Sequence, residues 1–517
     1  MATRRTAKKP TTVALVGAGT GDTGLLTLRA AEVLAAAQTV VHDDRVPPSV
    51  VALATSADEV LLADHEAAAV CVSAAKGGRN VVRLYAGDPF LHDSGRADAL
   101  ALVKAKVPFE LVPGIPAAVA VPGYAGIPVG LPRTVAHLDS DVADTTDWAG
   151  LAGTPGTLVL TCNAGEVGKA AAGLTEHGRR GDTPVAVTAS GTTTAQRTIV
   201  STLDTVEQDV AAAVPSLPSP VVVTIGAAVA DRAKLSWYET QPLFGWRVLV
   251  PRTREQSVTT VQALRDLGGD PLEVPTIAVE PPRTPAPMER AVRGLVTGRY
   301  QWVAFTSTNA VRAVQEKLDD VGLDARAFAG VKVAAIGTAT AEALQALGIR
   351  PDLVPSGQQS SEGLLADWPE YDDVLDPLDR VFLPRADIAT ETLVAGLKER
   401  GWAVDDVTAY RTVRAAPPAA PIREALKTGG VDAVLFTSSS TVRNLLGIAG
   451  KPHDTTVIAC IGPATAETAK ELGLRVDVLA EEATIPSLIA GLAEFAVSKA
   501  AERAVLAATP IRSRRRR

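Results

Sequence analysis

Short runs of apolar residues alternate with longer stretches of helical periodicity along nearly the whole chain. This alternation is typical of α/β folds built on parallel sheets. Between Val248 and Leu474 the pattern occurs twice. The phrases VLVPRT, VAFTSTNAVRAV and VAAIGTATAEAL are followed in the same order by VFLPRAD, VLFTSSSTVRNL and IACIGPATAETA. Three matched phrases predict two similar lobes, and therefore a cleft between them.

The remaining organisation follows from changes in composition. A break near residues 241–246 predicts a boundary between two units. Two extended runs closed by Pro-Pro, Pro271–Pro282 and Ala403–Pro418, predict strands that pass between the lobes. The Asp- and Thr-rich segment Asp139–Gly156 predicts a linker between two subdomains of the first unit. The expected divisions are a disordered basic tail (1–10), an N-terminal unit (11–240), a C-terminal unit (245–497, with lobe one at about 245–275 plus 415–497 and lobe two at about 280–406) and a basic tail (498–517).

Composition excludes several classes of protein. A chain of 517 residues is too long for one core, and a net charge of −7 argues against nucleic-acid binding. No run approaches the roughly 20 apolar residues of a membrane span, so we expect a cytoplasmic protein without a membrane partner. The three cysteines predict small buried side chains in a reducing compartment. The six histidines lack ligand spacing, so no metal site is expected.

The repeated phrases place Ser, Thr or Asn where a strand passes into a helix. Such residues either cap the helix or, with free backbone N–H groups, bind an anion. Six such turns in two matched sets favour a cleft for a multiply anionic ligand, with Arg252 and Arg385 as its cations. Tyr410 corresponds to Ile277 at the offset that relates Pro384 to Pro251. Two interpretations of this phenol stay open: a proton donor to a leaving group, or a packing bridge between the lobes.

The motifs FTSTNAVRAV, IGTATAEAL, LPRAD, VTAYRT, FTSSSTV and IGPATAETAKELGL together resemble uroporphyrinogen-III synthase. The resemblance implies two flavodoxin-like lobes joined by a two-stranded ladder. It implies cyclisation of hydroxymethylbilane, without a cofactor, to uroporphyrinogen III, with loss of water and inversion of the last ring. Tyr410 would then assist departure of hydroxide. The implied substrate contacts, beside Arg252 and Arg385, are Ser307, Thr308, Asn309, Ser438, Ser439, Gly462, Ala464 and Thr465, with Thr338 and Ser361 on the opposite lobe.

The first unit opens with VALVGAGTGDTGLLTL, and a glycine-rich turn of this kind is by itself weak evidence for a nucleotide site. Together with VVRLYAGDPF, VPGIPAAVAVPGYAGIPVG and ASGTTTAQRTI it resembles the S-adenosylmethionine-dependent uroporphyrinogen-III C-methyltransferases. The implied cofactor contacts are Gly17, Gly19, Gly21, Asp22, Gly87, Asp88, Ala118, Cys162 and Thr193. The chain departs from that family at Ala86, where a glycine is usual, at Cys162, where methionine is usual, and between Val50 and Gly78, which lacks a basic segment.

The combined expectation is a tetrapyrrole-biosynthesis enzyme with a synthase half and a methyltransferase-like half. Three interpretations of the N-terminal half stay open: an active methyltransferase, which would make the chain bifunctional, a cofactor-binding regulatory module, or a scaffold. An alternative from another class is a non-enzymatic two-lobed binder of an anionic metabolite. The resemblance implies hydroxymethylbilane and uroporphyrinogen III as ligands, and handover of the former from hydroxymethylbilane synthase.

Overall fold

The computed structural model describes residues 11–91, 93–138, 146–213 and 217–508. The predicted N-terminal tail lies outside these residues. The chain divides into two compact units. The first holds the described residues up to Arg247 together with Ala263–Asp270 and the chain from Ala493, and the second holds Val248–Gln262 and Pro271–Leu492.

The first half of the N-terminal unit is a parallel sheet with helices on both faces. Strand β4 is buried along its whole length, as expected of a strand covered on both sides. The sheet order is β3-β2-β4-β1-β5, and every pairing is parallel. Its elements are β1 (Val13–Gly17), α1 (Leu28–Ala35), β2 (Thr39–His42), α2 (Pro48–Val51), β3 (Glu59–Leu62), α3 (Ala67–Lys76), β4 (Val81–Tyr85), α4 (Asp93–Lys104), β5 (Phe109–Val112) and α5 (Ala117–Tyr124).

The second half of this unit is a mixed sheet of order β6-β7-β10-β8-β9, in which only the β6–β7 pairing is parallel. Because β6 and β7 are neighbours, the segment Asp139–Gly156 joins two strands of one sheet. Its prediction as a linker between subdomains is therefore wrong, although residues 139–145 lie outside the described part. The elements are β6 (Arg133–His137), α6 (Trp148–Ala152), β7 (Thr157–Cys162), α7 (Val167–Glu176), β8 (Pro184–Ala189), β9 (Arg197–Thr202), α8 (Val206–Ala213), β10 (Val221–Ile225) and α9 (Arg232–Leu235).

The C-terminal unit contains two five-stranded sheets, of order β12-β11-β18-β19-β20 and β13-β17-β16-β14-β15. Its first elements are β11 (Arg247–Val250), α10 (Arg254–Asp266), β12 (Asp270–Glu273), β13 (Ile277–Glu280), α11 (Ala286–Val296), β14 (Trp302–Phe305), α12 (Thr308–Asp320), β15 (Lys332–Ala335), α13 (Thr338–Ala346), α14 (Ser361–Asp367) and β16 (Arg380–Ala386). Its later elements are α15 (Thr392–Glu399), β17 (Ala403–Arg414), α16 (Ala420–Thr428), β18 (Ala433–Phe436), α17 (Ser439–Ala449), β19 (Val457–Cys460), α18 (Pro463–Glu471), β20 (Val478–Leu479) and α19 (Ile485–Ala508).

The predicted two-stranded ladder is confirmed: β13 and β17 pair antiparallel, with Ile277 opposite Arg414. Tyr410, which corresponds to Ile277 in the repeat, instead has Ala386 of β16 as its neighbour. The two-lobed parallel-sheet architecture predicted for this unit is likewise confirmed. Helix α19 continues to Ala508, so residues 498–508 of the expected basic tail are helical, and residues 509–517 lie outside the described part.

The cores explain why the elements form as they do. Two hydrophobic clusters cover opposite faces of the sheet that contains β14 and β16, one around Phe305 and Phe382 and one around Trp302 and Leu383. All three cysteines are buried, which confirms their prediction as packing residues. None of the helices within the described ranges is long and apolar enough to cross a bilayer.

Candidate functional site

Two of the predicted site residues meet at the carboxyl edge of the sheet around β14. Ser307 is the N-cap of α12, and its Oγ accepts a hydrogen bond from the backbone N–H of Ala310 at 3.1 Å. The same Oγ lies 3.0 Å from the hydroxyl of Tyr410, which comes from β17. Tyr410 is only 7% exposed. The helix N-terminus, the serine and the phenol therefore form one hydrogen-bonded chain.

The other predicted residues of this lobe have more varied partners. Thr308 and Asn309 lie in the first turn of α12, where backbone N–H groups have no acceptor within the helix. Thr338 begins α13, and both its N–H and its Oγ1 donate to Oε1 of Gln359, at 3.1 and 3.3 Å. Sequence reasoning missed Gln359, because a side chain that caps a helix from a distant loop leaves no local pattern. Ser361 starts α14, but the capping hydroxyl there belongs to Ser360.

Arg385 is engaged entirely within the protein. Its guanidinium donates to both carboxylate oxygens of Asp406, to Glu391, and to the carbonyl oxygens of Ala389 and Thr390. These contacts use all five of its N–H groups. The residue is 7% exposed. Its prediction as a substrate ligand is therefore corrected: it braces the loop that follows β16.

The equivalent edge of the other lobe gathers most of the remaining predicted residues. Ser438 caps α17 through a capping box with Thr441. Ser439 donates to the carbonyl of Ala464 at 3.1 Å, which ties the start of α17 to the start of α18. Gly462 is the N-cap of α18 and has no side chain to close it. Ala464 and the buried Thr465 lie in the first turn of α18, so the free N–H groups of that turn remain available to an anion.

Arg252 completes this edge. It follows β11, which lies beside β18 in the same parallel sheet, so the two strands end at the same side. Its side chain is partly buried, and this burial lowers the pKa of the guanidinium. Among the carbonyl groups and side chains that the structure describes, none pairs with it. A partly desolvated cation without an internal partner is a suitable ligand for a carboxylate.

The N-terminal unit contains a cavity of about 600 Å³. Five of the nine predicted cofactor residues line it: Gly19, Gly87, Asp88, Ala118 and Thr193. Gly19 and Gly87 exchange two backbone hydrogen bonds, of 3.1 and 2.9 Å, and have φ values of 66° and 78°. Both need the left-handed conformation that glycine adopts without strain.

The other four predicted cofactor residues lie outside this lining. Gly17 allows the backbone segment at Gly114 to approach closely, since a Cβ on residue 17 would lie 2.4 Å from the nitrogen of Gly114. Gly21 packs against Thr193 in the same way. Asp22 caps the following turn and accepts from the hydroxyl of Tyr124 at 2.7 Å. Cys162 is 1% exposed in the hydrophobic core, where burial raises the pKa of its thiol to about 12. The thiol therefore does not line the cavity, and the cofactor contact of Cys162 stays a prediction.

The unusual residue Ala86 carries no conformational cost. The backbone conformation requires glycine where φ is positive, and Ala86 is not among the described non-glycine residues with positive φ. Two cavity residues that sequence reasoning passed over are Arg45 and His137. Ser190, another lining residue, has a φ of 47°, so backbone strain is stored beside the cavity.

Comparison with known proteins gives two family matches. Residues 258–490 match uroporphyrinogen-III synthase HemD, and residues 12–207 match the tetrapyrrole (corrin/porphyrin) methylases. The chain is 31% identical to the porphyrin biosynthesis protein HemD of Ruminiclostridium josui, over 93% of this chain and 98% of that protein. It is 38% identical to a uroporphyrinogen-III C-methyltransferase of Sinorhizobium sp, over 43% of this chain and 85% of that protein. A crystal structure of uroporphyrin-III-C-methyltransferase from Thermus thermophilus aligns with 43% of this chain and 98% of that one, at 32% identity and a TM-score of 0.36.

Proposed function

Because the chain belongs to the family of the porphyrin biosynthesis protein HemD, with a uroporphyrinogen-III synthase domain after a tetrapyrrole methylase domain, we propose residue roles for ring closure. The family acts on hydroxymethylbilane in tetrapyrrole synthesis. The observation that carries the proposal is the hydrogen-bonded pair of Tyr410 and Ser307 beside the N-terminus of α12.

In the proposed reaction Tyr410 donates its proton to the departing hydroxyl. Ser307 accepts from the N–H of Ala310, so its own proton is free to point at the phenol oxygen. A hydroxyl that accepts one hydrogen bond donates another more strongly, and the positive end of α12 adds to this effect. The chain of donors therefore stabilises the negative charge that develops on the phenol oxygen when its proton leaves.

The reaction as a whole releases one water molecule. The C–O bond of the hydroxymethyl group breaks, the phenol proton joins the leaving hydroxide, and an azafulvene cation remains on the substrate. The substituted carbon of the last ring, which already carries the bridge to the third ring, attacks this cation. That bridge bond then breaks, which leaves a second azafulvene cation on the third ring, and the free α-carbon of the last ring attacks it. The proton which this carbon loses returns to Tyr410. Exclusion of water by the protein prevents addition of hydroxide before attack.

The choice of isomer requires that the substrate be held along its length. Arg252, the first turn of α18, the hydroxyl of Ser438 and the backbone N–H of Ser439 supply cationic and neutral donors for its carboxylates. That this edge and the Tyr410 edge face one cleft stays a prediction, and it forms part of the proposal. Confinement in such a cleft would select attack by the carbon that inverts the last ring.

Incubation of the full chain with freshly prepared hydroxymethylbilane tests this proposal. The expected product, separated chromatographically after oxidation, is predominantly the type III isomer. Formation of the spontaneous type I product alone would reject ring-closing activity and favour the non-enzymatic binder.

We also propose that the N-terminal cavity binds S-adenosylmethionine. The fit rests on the paired Gly19 and Gly87 in the wall and on close backbone contact at Gly17, where no side chain is tolerated. When bound, the cofactor would supply a methyl group. Gly19, Gly87 and Ala118 would hold it by backbone contact, while Arg45 would offer positive charge to an acidic substrate.

Calorimetric titration with S-adenosylmethionine, followed by a methyl-transfer assay on uroporphyrinogen III, separates the three interpretations of this half. Binding with transfer identifies a bifunctional enzyme. Binding without transfer identifies a regulatory module, and absence of binding identifies a scaffold.

A further inference from the structure

A buried cluster of charged side chains lies beneath the N-terminal cavity and belongs to neither proposed reaction. Arg83, on β4, is 3% exposed. Its Nη2 donates to Oδ1 of Asp43 at 2.6 Å, and its Nε donates to Oδ2 of Asp98 at 3.0 Å. The hydroxyl of Tyr85 donates to the same oxygen of Asp98 at 2.7 Å, and the guanidinium lies 4.2 Å from the centre of the tyrosine ring. Such a cluster holds its members in fixed positions, because an unpaired charge there would be costly.

One member of this cluster reaches the cavity wall. The second carboxylate oxygen of Asp43 accepts a hydrogen bond from the backbone N–H of Ala86 at 3.2 Å. Ala86, Gly87 and Asp88 form one continuous part of the cavity lining. Asp43 therefore connects a buried cation on one side to this loop on the other.

The same loop is anchored at its two following residues. Gly87 exchanges backbone hydrogen bonds with Gly19. Asp88 accepts from the N–H of Gly114 at 3.1 Å. Asp43 supplies the anchor at the start of the loop, where the chain leaves β4. Loss of this anchor would let Ala86 move and would shift Gly87, which lines the cavity.

We propose that Asp43 is a positioning residue for the cofactor cavity: its carboxylate, oriented by Arg83, fixes the loop from Ala86 to Asp88 in the conformation that binds the cofactor. This inference rests on the proposed cofactor binding by the N-terminal unit. It assigns to Asp43 an effect on affinity that is separate from its contribution to stability.

The test compares Asp43→Asn with Asp98→Asn in the full chain, with S-adenosylhomocysteine as the probe. Both variants remove one charge from the same buried cluster, but only Asp43 contacts the loop. In Asp43→Asn a single amide oxygen must serve two donors, Arg83 and Ala86. We expect the Kd of the probe to rise about tenfold, or ~1.4 kcal/mol. Amide exchange at residues 86–87 should also be faster. For Asp98→Asn we expect a lower Tm but an unchanged Kd.

Asp43→Glu serves as a second variant should the amide variant not fold. It keeps the charge that pairs with Arg83 but displaces the acceptor by one methylene, so it must also weaken binding. Equal Kd values for wild type, Asp43→Asn and Asp98→Asn would overturn the positioning role while leaving cofactor binding intact. An equal rise in both variants would show a general effect of destabilisation and would also overturn it. Absence of binding by the wild type would overturn both this inference and the proposed function on which it rests.

Discussion

Replacing Tyr410 by phenylalanine removes one oxygen atom and leaves the ring in its place. The ring belongs to the core cluster around Phe305 and Phe382, so the packing of the lobe is retained. The variant loses the 3.0 Å contact with Ser307. Ser307 still accepts from the N–H of Ala310, so α12 keeps its cap. The change therefore separates the chemistry of the hydroxyl from the structure around it.

The two expected losses differ in size. One hydrogen bond between neutral hydroxyls contributes about 1 kcal/mol to folding, which bounds the loss of unfolding free energy. Proton donation by a positioned group contributes roughly 10²–10⁴-fold to a rate. We expect kcat for ring closure to fall by about 10²-fold, or ~2.7 kcal/mol. The KM should change little, because the proposed carboxylate contacts of Arg252 and α18 do not involve the phenol.

Tyr300→Phe is the matched control. Tyr300 is 2% exposed in the same core, and its hydroxyl donates to Asp405 at 2.9 Å. It precedes β14 and so lies at the opposite end of that strand from Ser307. Its variant should lose at least as much stability, because its partner is a carboxylate, and should keep full activity. Single-turnover formation of the type III isomer measures the rate, and denaturant titration measures stability. Equal rates for wild type and Tyr410→Phe would assign the Tyr410 hydroxyl to packing alone and refute the proposed proton donation.

Three further predictions address the other sites. Arg252→Gln should raise the KM for hydroxymethylbilane about tenfold, which corresponds to the loss of one charge-assisted hydrogen bond. Arg385→Gln should instead lower the unfolding free energy by about 3 kcal/mol and leave the KM unchanged. Steady-state rates measure the KM and denaturant titrations measure the unfolding free energy, and the reverse pattern would contradict the assignment. Gly87→Ala, at a φ of 78°, should weaken binding of S-adenosylhomocysteine at least tenfold by calorimetry, and unchanged affinity would show that the loop is not part of the site. The pKa of Cys162 is about 12 in the folded chain against an ordinary 9.0, so its contribution to stability is complete below pH 9.0 and is lost as the pH rises toward 12. Denaturant titrations at pH 8 and 10 should therefore show a smaller decline in unfolding free energy for Cys162→Ala than for the wild type. Equal declines in the two proteins would refute this linkage.

The sequence alone predicted the local features of the chain. Apolar runs followed by a hydroxyl and a helical pattern predicted the strand ends, and capping was one of the two interpretations of those hydroxyls; Ser307 and Ser438 are both N-caps. The repeated phrases predicted two similar lobes, and the paired Pro-Pro runs predicted the ladder of β13 and β17. These features depend on residues close together in the chain, where periodicity and capping preference act.

The sequence alone did not predict which partner each polar side chain contacts. Arg252 and Arg385 follow corresponding strands of the repeat, yet Arg385 is enclosed by Asp406 and the loop after β16, whereas Arg252 has no such neighbour among the described residues. Tyr410 meets Ser307 across 103 residues of chain, and Asp43 meets Ala86 across 43. Hydrogen bonds and ion pairs act over a few ångströms, so the role of a polar residue depends on which distant segments folding brings within that range. The periodicity of the sequence does not show which segments these are.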